Sequence, residues 1–192
     1  GSNNRVFRVD LSSGRVLLKL YFDDPSRNRA QAEFDFLQFA RTAGARSIPR
    51  PLACDARRRL GVYEFVDGRP YAAGAVRPPD VDAALDLVLV LNRRRDDSAA
   101  ARLPVASDAC LRGLDYVGSV ERRLDRLSTI PVTSGVHEDV STFVASEMRP
   151  AWAYIRQALL DGAMAAGWDL EAPLTGEDRC LSPSDFGFHN AL

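Results

Sequence analysis

Val16-Leu17-Leu18-Lys19-Leu20-Tyr21-Phe22 is a run of strong strand character that carries one charge, and the charge governs how the rest of the chain is read. Side chains alternate between faces along a strand, so Lys19 shares a face with Leu17 and Tyr21. A lysine in that setting needs a carboxylate or a phosphate, because burying an unpaired ammonium is costly. On an edge strand it serves equally well to discourage aggregation. Lys19 is also the single lysine among 25 basic residues, all the others being arginine. A coding bias toward arginine explains the excess and leaves the exception informative. A compact ammonium cannot be exchanged for a planar guanidinium where a point charge must sit in a confined place.

Outward from this run, Arg5 to Asp10 is a second strand-like stretch, and Leu11-Ser12-Ser13-Gly14 supplies the turn of a β-hairpin. Ahead of it, Gly1-Ser2 reads either as a cloning remnant or, with Asn3 and Asn4, as a small-residue loop whose backbone N–H groups can approach a phosphate. On the other side, Asp23-Asp24-Pro25-Ser26 leads into a predicted helix from about Asn28 to Ala43, closed by Gly44. Glu33 shares a face of that helix with Phe36, Leu37 and Ala40. An acid on an apolar face wants a cation, and Lys19 answers it, although a nearby arginine or a surface role for the acid stays open.

Ile48-Pro49-Arg50-Pro51 is a rigid lead-in to another antiparallel pair, Leu52 to Asp55 and Leu60 to Val66, joined by the basic turn Arg57-Arg58-Arg59. The strand pattern stops at Asp67-Gly68-Arg69-Pro70, which marks the candidate lobe boundary. Helical periodicity follows. Asp80 to about Arg95 is apolar nearly all round and is expected to be central. Asp108 to Leu127 carries a stripe at Leu111, Leu114, Val117, Val120, Leu124 and Leu127. Glu138 to Ala166 repeats the period at Phe143, Val144, Met148, Trp152, Ile155 and Leu159, with its aromatics expected to be core and Pro150 marking a kink or a restart. His137, with no second ligand beside it, reads as a cap or surface residue.

Composition narrows the function class. Hydrophobic residues make up 46% of the 192 positions and charged residues 27%, as in an ordinary globular protein. A net charge of −1 argues against nucleic acid or an anionic membrane as a bulk electrostatic partner. Cys54, Cys110 and Cys180 are far apart and in no metal-ligand pattern, which fits a reducing cytoplasm. No apolar run of about 18 residues predicts a membrane span. Small-molecule chemistry stays open, and nothing in the pattern speaks to oligomeric state.

The last stretch is Leu181-Ser182-Pro183-Ser184-Asp185-Phe186-Gly187-Phe188-His189-Asn190. An aspartate five positions before an asparagine, with a glycine and two aromatics between them, can set a base beside a metal ligand. Alone, the spacing is equally that of a turn with an Asx cap.

In order, then, the chain holds a small-residue turn, a lone strand lysine, a helix glutamate fourteen residues later and a D-x-x-x-x-N loop after a helical region. That order resembles the protein-kinase-like fold, and within it the aminoglycoside phosphotransferase and choline kinase family of small-molecule kinases. The residues that carry the resemblance are Ser2 to Val9, Leu17 to Tyr21, Glu33, Pro49-Arg50-Pro51, Glu64-Phe65-Val66-Asp67-Gly68 and Ser184 to Leu192.

The resemblance implies a bilobal α+β fold. Residues 1–66 would form a nucleotide-binding lobe of hairpins and one helix, and residues 67–192 a helical lobe ending in the catalytic loop. The implied cofactors are ATP and Mg2+, and the implied partner is a small molecule bearing a hydroxyl group. Lys19 would hold the α- and β-phosphates, oriented by Glu33, with Ser2, Asn3 and Asn4 beside the phosphates. Glu64, Phe65 and Val66 would be the hinge that meets adenine. Asp185 would accept the proton of the acceptor hydroxyl and Asn190 would bind magnesium. This division of labour suits phosphoryl transfer, which depends on positioning and charge neutralisation.

Two departures from the family pattern qualify it. Pro183 stands two residues before Asp185, where the family has histidine. The family's second metal-binding acid lies downstream of the asparagine, and the sequence given ends at Leu192. The chain therefore reads as a fragment lacking the first strand and the C-terminal part, and the fragment by itself is expected to be inactive. A nucleotide-binding module without catalysis and a non-enzymatic helical interaction protein are the competing classes.

Overall fold

The computed structural model describes residues 4–25, 27–106, 108–183, 186–188 and 191. Its contacts divide the chain into two compact units, Gly1–Ala106 with Cys180–Leu192, and Ser107–Arg179.

The first unit is built on a four-stranded antiparallel sheet in the order β1-β2-β4-β3. Strands β1 (Arg5–Leu11) and β2 (Gly14–Leu20) form the expected hairpin, with Val9 opposite Val16 and Arg5 opposite Leu20. Gly14 takes φ 132°, a backbone angle that a side chain would strain. Strands β3 (Pro51–Asp55) and β4 (Leu60–Glu64) form the second hairpin, with an irregularity between Pro51 and Ala53. Strand β4 pairs with β2 so that Lys19 lies opposite Gly61 and Val16 opposite Glu64.

Helix α1 (Arg29–Thr42) starts where local chemistry places it. The Asn28 side chain accepts from the Gln31 N–H at 3.1 Å, and Gly44 leaves the helix at φ 106°. Its inner face supplies Phe39 and Ala40 to a buried cluster completed by Ala45, Leu91 and Ala100.

Helix α2 (Pro78–Asn92) was expected to be central, and it is not. Leu91 is 1% exposed, whereas Val81, Leu85 and Leu89 are exposed at 42, 55 and 53%. One face of α2, with Leu87, Val90 and Leu91, packs on the cluster below α1, and residues spaced four apart from Val81 lie on another face. Leu91 and Ala100 complete this core, and residues 67–106 fall into the same unit as the sheet.

The second unit is helical. Helix α3 (Gly113–Ser128) begins five residues later than the predicted start at Asp108, because the carboxylate of Asp115 accepts from the N–H groups of Leu111 (2.8 Å) and Arg112 (2.9 Å) and sets the helix start there. Val117 and Leu124 of its predicted stripe are buried. The segment after residue 167 folds back on this helix start, with Leu114 N–H to Leu170 O at 3.0 Å and Leu174 N–H to Leu111 O at 2.7 Å.

Helices α4 (Gly135–Phe143) and α5 (Arg149–Ala165) are separated by a π turn, Val144–Met148. Pro150 lacks an N–H and its ring clashes with the preceding turn, so the chain restarts around it. His137 serves the start of α4, its Nδ1 lying 2.8 Å from Thr133 Oγ1. The π turn also explains why the predicted stripe does not hold as one inward face. Val144 is 2% exposed, but Phe143 and Ile155 are exposed at 56 and 53%. A widened turn rotates everything after it, so positions periodic across the insertion no longer align. Among the described residues no helix is long and apolar enough to cross a membrane.

Candidate functional site

Lys19 and Glu33 meet. The Nζ atom donates to Oε1 at 2.9 Å and to Oε2 at 2.7 Å, with the side chains 20 and 37% exposed. The pairing follows from the fold, because α1 lies against the sheet with Glu33 on its sheet-facing side. Lys19 also stands 4.9 Å from the centre of the Tyr21 ring, where the π face favours a cation. An ammonium has three N–H donors. Two are directed to Glu33, which leaves donor capacity for an anion.

Beneath the pair lies a tyrosine couple. Tyr21 and Tyr63 are each 2% exposed, and their hydroxyl oxygens are 2.7 Å apart. Burial pushes the Tyr63 hydroxyl up to about 12. Burial, and then the neighbouring Glu33 carboxylate, push the Tyr21 hydroxyl far above its usual range. Both phenols are held neutral, so they brace the pair by packing and hydrogen bonding. Gly61 makes room for this arrangement, since a Cβ there would lie 2.5 Å from Tyr63 Oη.

The residues expected to form the hinge begin at Glu64, the last residue of β4, and run on past it. The Arg50 N–H donates to Glu64 Oε2 at 3.0 Å, and the Glu64 N–H donates to Arg50 O at 2.9 Å, which closes the mouth of the β3–β4 pair. Val66 is 42% exposed. Arg15 on β2 covers the Phe65 ring at 5.0 Å and binds the Asp67 carboxylate through both terminal nitrogens, one of them at 2.9 Å. Sequence reasoning missed Arg15. Its only signal was position, since a strand residue near the pairing of Val16 with Glu64 reaches the segment just past β4.

The segment leading to the D-x-x-x-x-N motif belongs to the same unit as the sheet. Asn92, the last residue of α2, accepts from the Leu181 N–H at 2.8 Å and donates to the Leu181 carbonyl at 3.0 Å. Leu181 also packs against the core cluster. Within the motif, the Phe188 ring meets the Tyr71 ring edge-on, with centroids 5.4 Å apart. The Tyr71 hydroxyl is fixed in turn on Asp80 at 3.0 Å. Asn92, Tyr71 and Asp80 were not among the expected site residues.

Of the expected residues, Asp185, Asn190, Ser2 and Asn3 lie outside the described residues. Asn4 is described, and its Oδ1 accepts from the Phe22 N–H at 3.3 Å, tying the start of β1 to the end of β2. Among the described residues no three His, Cys, Asp or Glu side chains group as a metal site. The donor set fits a phosphate at Lys19. A magnesium ligand among the expected residues rests on Asn190.

Comparison with known proteins bears on the family. The sequence profile of the phosphotransferase enzyme family matches residues 1–161. No curated protein matches significantly. Among solved structures, the Rio2 kinase–ADP/Mg2+–phosphoaspartate complex from Chaetomium thermophilum is similar at 16% identity and a TM-score of 0.38, over 86% of this chain and 69% of that one. At that similarity no residue correspondence follows from it.

Proposed function

The chain belongs to the phosphotransferase enzyme family, and from that premise we propose that it is an ATP-dependent kinase that phosphorylates a hydroxyl group of a small molecule. The observation that carries this reading is the bidentate Lys19–Glu33 pair, which presents an ammonium with spare donor capacity on the strand next to the expected hinge. The four-stranded sheet with its lysine strand and glutamate helix supports a protein-kinase-like arrangement.

In this reading Lys19 binds the α- and β-phosphates and Glu33 fixes its direction. The backbone of Glu64 to Val66 meets adenine, with Arg15 holding the segment beyond it through Asp67. Ser2, Asn3 and Asn4 lie beside the phosphates. Asp185 takes the proton from the acceptor hydroxyl, and Asn190 is the side chain that would hold magnesium. ATP supplies the phosphoryl group, and magnesium neutralises charge that develops on it during transfer. Asn92 and Tyr71 act by positioning the motif. Three free cysteines accord with a cytoplasmic address, and the near-zero net charge accords with a small-molecule partner.

The test is thermal unfolding with and without magnesium and ATP. Protection of the parent chain, lost in Lys19→Ala, is the expected result. Failure of either ATP or ADP to shift the melting point would overturn the reading. A further shift of the melting point by members of a panel of aminoglycosides and amino alcohols would then narrow the acceptor class.

A further inference from the structure

We propose that the cleft between the β2–α1 connection and the β3–β4 turn is a binding site for a small, multiply charged phosphate ligand, held by Arg27, Arg29, Arg57 and Arg59. The cleft has a volume of about 500 Å³, and its lining sets these four arginines against two acids, Asp23 and Asp24. The lining thus carries an excess of two positive charges.

The acids are arranged so that they do not satisfy the arginines. Arg27 and Arg29 both bond Asp24 Oδ2 through Nε, at 3.3 and 2.8 Å, so two guanidinium groups share one carboxylate oxygen. Among the described residues the terminal nitrogens of both have no acceptor, and a guanidinium edge matches two phosphate oxygens. Arg59 bonds Asp23 at 2.8 Å, with that carboxylate 83% exposed. The Arg57 side chain has no partner among the described residues.

Backbone geometry points the same way. Arg59 has φ 58°, the one residue other than glycine among the described residues with a positive φ. Glycine or asparagine would adopt that conformation at less cost, and the turn it makes sets the Arg59 side chain beside Asp23. The two walls are also joined. The Tyr21 N–H donates to Arg59 O at 2.9 Å and Asn28 Nδ2 donates to Ala56 O at 3.2 Å, which holds the arginines of the turn opposite those beside α1 before any ligand arrives.

The chemistry limits the ligand. Two rings line the cleft: Tyr21 is 2% exposed, and the Arg29 guanidinium covers a face of Phe22 at 4.2 Å. Charge dominates the lining over aromatic surface, and a compact phosphate such as pyrophosphate fits that charge.

Titration calorimetry of inorganic pyrophosphate into the 192-residue chain, in low salt without magnesium, tests the site. Saturable binding is expected, about tenfold weaker in Arg57→Glu, the loss that removing and reversing one charge-assisted hydrogen bond produces. Arg57→Gln, which changes no described contact, should give a smaller loss in the same direction. Lys19 belongs to the proposed nucleotide site and can itself bind pyrophosphate, so an Arg57-dependent binding event that persists in Lys19→Ala separates the two sites. Absence of binding to the parent, parent-like binding by both Arg57 variants, or loss of the Arg57-dependent event in Lys19→Ala would each overturn the proposal.

Discussion

The side-chain amide of Asn92 takes both backbone groups of Leu181, across 89 positions of sequence. The same amide nitrogen donates to Val88 O at 2.8 Å within α2, so the carboxamide is fixed to its own helix and then imitates a strand partner for the segment leading to Asp185. Asn92→Ala removes two such bonds, each contributing about 1 kcal/mol net. The expected result is a loss of about 2 kcal/mol in urea unfolding with an unchanged slope. ATP-dependent thermal protection should be largely kept, because the motif is loosened while Lys19 is untouched. An unmoved urea midpoint would show that the amide does not anchor the segment.

The Lys19–Glu33 pair should behave as a functional pair and contribute little to stability. With side chains 20 and 37% exposed, it lies where solvent screens much of the Coulomb attraction. Pairs of that kind contribute about 0–1 kcal/mol. Glu33→Gln should therefore shift the denaturation midpoint by less than about 1 kcal/mol, yet it should reduce nucleotide protection clearly. The reverse pattern, a large stability loss with protection intact, would make the pair a structural strut.

The buried tyrosines predict an alkaline limit. In the unfolded chain a tyrosine hydroxyl titrates near 10, whereas the folded Tyr63 hydroxyl is held at about 12 and that of Tyr21 is pushed further up. Below the unfolded value both states keep their protons and these groups add no pH dependence. Above it the unfolded chain releases protons that the fold retains, so stability falls as pH rises. The slope is about 1.4 kcal/mol per pH unit for each tyrosine. Denaturation at successive pH values through that window should show the decline, and Tyr63→Phe should make it shallower by one proton's share. A flat profile would mean that the couple opens to solvent.

What was legible in the sequence was what neighbouring residues decide. Asn28 and Gly44 bound α1 through their own cap and backbone angle, and Gly14 turns the first hairpin. Lys19 and Glu33 could be matched because each was the wrong residue for its apolar surroundings and the helix follows the strand directly. The start of α3 was less visible, since Asp115 sets it from inside the helix. The burial of α2 could not be read at all, because an apolar helix does not announce which face finds a partner. The partnership of Asn92 with Leu181 left no local trace, as an asparagine ending a helix looks the same with or without a distant strand to hold.

Gly61 offers the sharpest structural test, because it stands opposite Lys19 in the sheet and beneath the ring of Tyr63. A Cβ at this position would sit 2.5 Å from Tyr63 Oη and 2.6 Å from Cε2. The ring has little freedom to yield, since Tyr63 is 2% exposed and its hydroxyl is 2.7 Å from that of Tyr21. Overpacking of this kind costs about 1–3 kcal/mol, and losing the hydroxyl contact adds about 1 kcal/mol. Gly61→Ala should therefore destabilise the chain by about 3 kcal/mol in urea unfolding. Removing the Tyr63 hydroxyl alone should not rescue it, because the ring carbons remain too close. Tyr63→Leu should rescue part of it, so the double mutant should be markedly more stable than the two single losses added together. Strict additivity would mean that the ring and the glycine do not meet, and that the space beside Lys19 is kept open by something other than the absence of a side chain at 61.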